Sequence, residues 1–134
     1  MKNKIRFTFY LLLFTFLSFS CREKSNTATA AADTEIEWTK KTWDFGNISE
    51  GEEVSHTFYF RNTGKHNLII KNIETGCGCT TVNYDKAPIA PGKEGKIEIA
   101  FNSAGRYGKQ YKEICIFANI TGKQETLKFT ANVR

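Results

Sequence analysis

The strictest pattern in the chain lies near its C-terminal end, where Leu127, Phe129, Ala131 and Val133 alternate with Lys128, Thr130, Asn132 and Arg134. A period of two puts one set on each face of an extended strand, so this segment buries one side and wets the other. The same period recurs from Glu35 onward, with no stretch of helical spacing. A chain built this way has the pattern of an all-β sandwich or barrel, in which one apolar sheet face packs on another.

Seven such segments are separated by turn residues: 35–45, 53–61, 67–74, 80–84, 96–101, 109–117 and 126–133. The first carries Ile36, Trp38, Trp43 and Phe45, and the glycines that follow, Gly46 and Gly51, let it bend or cross at a sheet edge. The second sets Val54, His56, Phe58 and Phe60 against Ser55, Thr57, Tyr59 and Arg61, then stops at Asn62-Thr63-Gly64. The third, with Leu68, Ile69, Ile70 and Ile73, has the density of a strand inside a sheet. In 109–117 either Ile114 and Ile116 or Cys115 and Phe117 face inward; the alternation leaves both open. Short strands at this spacing predict an all-β, immunoglobulin-like sandwich of about seven antiparallel strands, although the Cys-Trp-Cys spacing of antibody domains is absent. There are no internal repeats.

The chain has 134 residues, enough for one cored domain, and its composition is uneven. Lys2, Lys4 and Arg6 precede an apolar stretch from Phe7 to Phe19, and Cys21 follows Ser20. The stretch is shorter than the ~20 residues of a membrane span and has the layout of an export signal. A small residue before cysteine resembles a bacterial lipoprotein processing site, although Leu17 stands four rather than three residues before Cys21. Residues 1–20 are expected to be the lipoprotein signal peptide, with Cys21 acylated (palmitate). Residues 21–34, rich in Ala, Thr, Ser and charge, are expected to be a tether, and 35–134 the sandwich. Ordinary signal cleavage is the alternative. Without Lys2, Lys4 and Arg6, sixteen of the nineteen basic residues face fourteen acidic ones, a net charge of +2 rather than +5. The charges are interspersed, so no nucleic-acid footprint is expected.

Several motifs agree in order and spacing with a known family. Trp43-Asp44-Phe45-Gly46-Asn47-Ile48 with Glu50-Gly51-Glu52, Phe58-Tyr59-Phe60-Arg61-Asn62-Thr63-Gly64, Leu68-Ile69-Ile70, Cys77-Gly78-Cys79-Thr80 and Pro91-Gly92-Lys93 with Gly95 together resemble the bacterial domain of unknown function 1573 family over residues 38–133. The resemblance implies an exported protein with an immunoglobulin-like fold similar to the major sperm protein and cilia-associated type. It implies no biochemical role.

Cys77-Gly78-Cys79, with Cys115 farther on, leaves an odd number of thiols beside Cys21 in an oxidising compartment. Three readings stay open. Cys115 pairs with Cys77 or Cys79, or the thiols are simply buried. Alternatively, Cys77 and Cys79 hold a soft ion, Cu or Zn, with Cys115 or His56 as third ligand. In the third reading, Cys77 and Cys79 close a small ring that exchanges with other thiols, with only Lys71 and Lys86 near in sequence to lower a thiol pKa. His56 sits on an apolar face as a core or edge residue, and His66 is in a solvated turn. Asn47-Ile48-Ser49 and Asn119-Ile120-Thr121 fit a glycosylation pattern that a bacterial lipoprotein does not use.

No nucleophile elbow, phosphate loop, zinc-protease or dinucleotide motif occurs. The expectation is a non-catalytic module, without a required cofactor, lipid-anchored in the cell envelope on the periplasmic or outer-membrane side. Its partners are the membrane and an unidentified envelope protein or ligand, met through strand edges or loops. The alternative is a metal-binding or thiol-redox protein centred on Cys77 and Cys79.

Overall fold

The computed structural model describes residues 33–134; the expected signal peptide, Cys21 and the tether up to residue 32 lie outside them. Eight strands follow in order: β1 (Ile36–Trp38), β2 (Thr42–Ile48), β3 (Glu53–Asn62), β4 (Ile70–Thr75), β5 (Thr80–Tyr84), β6 (Glu94–Asn102), β7 (Gly108–Ala118) and β8 (Gln124–Val133). They form two four-stranded sheets, β1-β3-β6-β5 and β2-β8-β7-β4. Phe58, Phe60, Ile97, Ile99 and Phe101 from the first sheet meet Ile114, Ile116, Leu127 and Phe129 from the second, all almost wholly buried. Burying each such side chain contributes about 1.5–3 kcal/mol, so the alternation read in the sequence supplies the force that joins the sheets.

The first segment differs from its expected form. It is two strands in different sheets: β1 pairs antiparallel with β3, while β2 pairs parallel with β8. The chain crosses between sheets at residues 39–41, before Gly46 and Gly51. Gly46, at a φ of 70°, serves instead the irregularity between Asp44 and Asn47 in the β2–β8 ladder. The crossing goes with a change of parity, because the inward residues are even-numbered before it (Ile36, Trp38) and odd-numbered after it (Trp43, Phe45), a change that a strand makes only at a break or a bulge.

Three other details follow from the pairing. β7 turns Ile114 and Ile116 inward, leaving Cys115 and Phe117 half-buried on the outer face. The third segment is not inside a sheet: β4 is an edge strand paired with β7, and Leu68, which precedes it, is buried through a bridge to Ile89. Thr34, placed by the sequence in the tether, is buried and bridges Ile120.

Two buried asparagines tie the loops to this frame. The Asn62 amide donates to the carbonyls of His66 and Ile89, both at 2.8 Å, and its oxygen accepts from the Thr34 hydroxyl and the Gly64 amide. Asn119 accepts from the Ile69 amide at 2.6 Å and donates to the Asn67 carbonyl. A buried side chain that satisfies main-chain groups in this way replaces water for them.

Candidate functional site

An open sandwich ends in four edge strands, each able to pair with another chain unless something prevents it. Three of these four edges carry a guard, and the stretch of β3 beyond the end of β1, at Ser55 and Thr57, is flanked by Trp43 stacked on His56. β1 is three residues long with Glu37 at its centre. β2 is broken by its irregular register, and the Asp44 carboxylate there accepts from the Gly46 amide at 3.0 Å and the Thr130 hydroxyl at 2.8 Å. Those two hydrogen bonds hold the Asp44 pKa below the ordinary carboxylate value. β4 shifts register between Ile70 and Asn72 and bears Lys71 and Glu74.

β5 has no such guard. Its sequence, Thr80-Thr81-Val82-Asn83-Tyr84, contains no charge and no proline, and its ladder to β6 runs unbroken from Thr80↔Phe101 to Tyr84↔Ile97. The Asn102 amide donates to the Cys79 carbonyl at 3.0 Å. Alternation from that bond turns the main-chain groups of Thr81 and Asn83 toward β6 and those of Val82 and Tyr84 toward the outside. Among the described residues nothing pairs with that outer side. The side chains of Val82 and Tyr84 are half-buried at the rim of the core, whereas Thr81 and Asn83 stand exposed on the outer face.

The cysteine loop is the entrance to this strand. Cys77 and Cys79 are joined by a disulfide that spans only Gly78, and Cys79 packs against the core cluster. The Thr75 hydroxyl donates to the Cys77 carbonyl, and the Thr80 hydroxyl lies 3.8 Å from the Cys77 Sγ and 4.0 Å from the Cys79 Sγ. Cys115 is a free thiol. Of the pairings left open by the sequence, the ring between Cys77 and Cys79 is the one present, and the bridge from Cys115 to either is not, because β7 aims Cys115 at the outer face, opposite Glu74 and Thr126. The third ligand expected for a metal is not brought there either: among the described residues no three His, Cys, Asp or Glu side chains gather in a metal-holding group.

His56 belongs to the opposite side of the sandwich. Its ring stacks on Trp43 with centroids 3.8 Å apart and 10° between planes, and meets Phe58 edge-on at 4.7 Å. Partial burial, and then the charge of Lys40, lowers its pKa from 6.5. The stack continues through Phe45 to Phe129 and on to Phe101, so an aromatic row closes the seam where β1 leaves for the other sheet. His66 is exposed and contributes its carbonyl to Asn62.

Exposed aromatics lie elsewhere on the surface. Tyr107 and Tyr111 are 70% and 74% exposed, and Tyr111 lines a shallow groove with Trp43, Asp44, Glu113 and Lys128. The sequence points to strand edges without showing which one is open, marks Asn62 and Asn119 as turn and glycosylation residues rather than buried ties, and does not bring Trp43 to His56. For the stack, the parity change between Trp38 and Trp43 was an available signal. For the edges there was none, because strand order is set by pairings far apart in the chain.

A family model described as a protein of unknown function (DUF1573) matches residues 36–133. Among solved structures, a protein of unknown function from Porphyromonas gingivalis W83 is similar over 81% of this chain and 51% of its own, with 23% identity and a TM-score of 0.67. The VesB protease of Vibrio cholerae is similar over 72% of this chain and 31% of its own, at 17% identity and a TM-score of 0.61. The ASH / PapD-like domain 7 of human CEP192 is similar over 76% of this chain and 85% of its own, at 12% identity and a TM-score of 0.58. These likenesses show the sandwich fold. The chain thus spans about half or less of the first two structures it resembles. No curated protein matches it.

Proposed function

Since the chain belongs to the family described as a protein of unknown function (DUF1573), we propose that it is a non-catalytic binding module of the bacterial cell envelope. In this reading it is lipid-anchored through Cys21 and engages its partner by strand pairing. The observation that carries the reading is the unguarded edge of β5, whose Val82 and Tyr84 main-chain groups face outward without partners among the described residues. An edge of that kind supplies affinity through main-chain hydrogen bonds and selectivity through alternate side chains. The basic start, short apolar stretch and Cys21 support export and anchoring, with 22–32 as spacer. Two measurements test it. A photocrosslinking residue in place of Asn83 in the full chain, expressed in a bacterial envelope, should yield a discrete crosslinked protein; the absence of any product overturns the edge reading. Cys21→Ala should abolish lipid labelling and release the protein from membranes, and a variant that stays membrane-bound overturns the anchor.

The bond between Cys77 and Cys79 favours a second reading, thiol exchange. A small dithiol would attack one sulfur, form a mixed disulfide and leave as its own cyclic disulfide, with the two protein thiols reduced. The freed pair would then be available to Cu(I) or Zn(II), with neither Cys115 nor His56 beside it. Alkylation after equilibration in dithiol buffers decides this: a pair that stays oxidised under mildly reducing conditions is framework.

A further inference from the structure

The open edge is self-complementary, and we infer that its partner is a second copy of this chain, paired antiparallel along β5 about a two-fold axis through Val82. This rests on the reading above that the domain binds through this edge and names the occupant.

The two-fold axis imposes a strict test on any edge, because a residue at the centre meets its own copy and flanking residues meet each other in reverse order. Like charges placed opposite one another oppose pairing. About their own midpoints, β1 sets Glu37 against its copy, while β2 and β4 are stepped by their register shifts. β5 passes at every position. Val82 meets Val82, Thr81 meets Asn83, and Thr80 meets Tyr84, with no charge on either strand.

The main-chain groups also match. Val82 and Tyr84 point their amides and carbonyls outward, as derived from the Asn102–Cys79 bond and the β5–β6 register. With Val82 at the centre, the two Val82 residues exchange amide-to-carbonyl hydrogen bonds, and each Tyr84 amide donates to the partner's Thr80. The Thr80 amide already turns back to the Cys77 carbonyl at 3.4 Å, so the cysteine loop closes one end of the pairing. The half-buried side chains of Val82 and Tyr84 at the rim of the core are covered by their counterparts, giving an eight-stranded sheet across the dimer. Thr81 and Asn83 lie side by side on the outer face at non-hydrogen-bonded positions, where cross-strand side chains are nearest.

That last pair gives the experiment. Two differently tagged full-length copies are co-expressed, extracted in detergent and captured through one tag. Wild-type copies are expected to co-purify. Thr81→Lys with Asn83→Lys in both copies should reduce capture at least tenfold, as should Thr81→Glu with Asn83→Glu in both, while the lysine form with the glutamate form should restore it. Both positions are solvent-exposed, and a thermal melt of each form verifies folding. A third variant, Val82→Pro, removes an outward amide without touching the β5–β6 ladder and should also abolish capture. Wild-type copies that fail to co-purify, or like-charged copies that co-purify as wild type, overturn self-pairing. A crosslink from position 83 to a different protein, with no co-purification of copies, would leave the edge as a binding site and reject only the second copy as its occupant.

Discussion

The two lateral sides of the sandwich solve the same problem in opposite ways. On one side the chain crosses from β1 to β2, leaving Ser55 and Thr57 of β3 with main-chain groups that no strand covers, and the seam is filled by Trp43 stacked on His56. On the other, β4 and β5 are linked through the Cys77–Cys79 loop, and β5 keeps a regular, uncharged, uncovered edge. The first side spends large aromatic surface on closure. The second is held by a short covalent ring and stays available for pairing. In the proposed reading, closure and pairing fall on different sides of one small domain.

The largest expected effect is on the closed side. Phe129 is fully buried and touches both Phe45 and Phe101; Phe129→Ala should cost about 3–5 kcal/mol in urea unfolding. Trp43→Ala, at a residue 36% exposed, should cost about 1–2 kcal/mol through the lost His56 stack and its contact area. The same variant should raise the His56 pKa toward 6.5, since less of the ring is then desolvated.

His56 also sets a pH dependence. Its folded pKa lies below 6.5, so the unfolded chain binds the proton more readily. Stability should be fully present above 6.5, fall as pH drops through the folded pKa, and lose nothing further from this group below that. Urea midpoints across pH 7.5 to about 4.5 in wild type and His56→Gln check this, the difference in slope being the contribution of His56.

Effects on the open side should be smaller in stability. A cross-link between residues two apart closes very little chain, so Cys77→Ser with Cys79→Ser should cost only about 1.5 kcal/mol; a loss as large as that of Phe129→Ala would mean the loop carries more of the fold than its ring size allows. Val82→Pro should cost less than about 1 kcal/mol, since edge strands accept proline where the amide points outward, while eliminating self-pairing.

Much of the fold was legible because alternation is local. The segments at 53–61, 80–84, 96–101, 109–117 and 126–133 fall within or coincide with β3, β5, β6, β7 and β8. The first segment misled because Trp38 and Trp43 are both large and apolar, and the change of parity between them outweighs that continuity. Asn62 and Asn119 read as turn and glycosylation residues, yet they are buried and hold loops through main-chain bonds, a role that depends on Thr34, Ile69 and Ile89 arriving from elsewhere. The cysteine pairing turned on which face of β7 is inward, and only the register with β8 decides that. The openness of β5 is a property of strand order, and no short window of sequence contains it.

Amide hydrogen exchange as a function of protein concentration tests the central contrast most directly. Val82 and Tyr84 should exchange freely when dilute and gain protection as concentration rises, while Ser55 and Thr57 stay unchanged. Protection that grows at Ser55 and Thr57, with Val82 and Tyr84 unprotected at every concentration, would contradict the account.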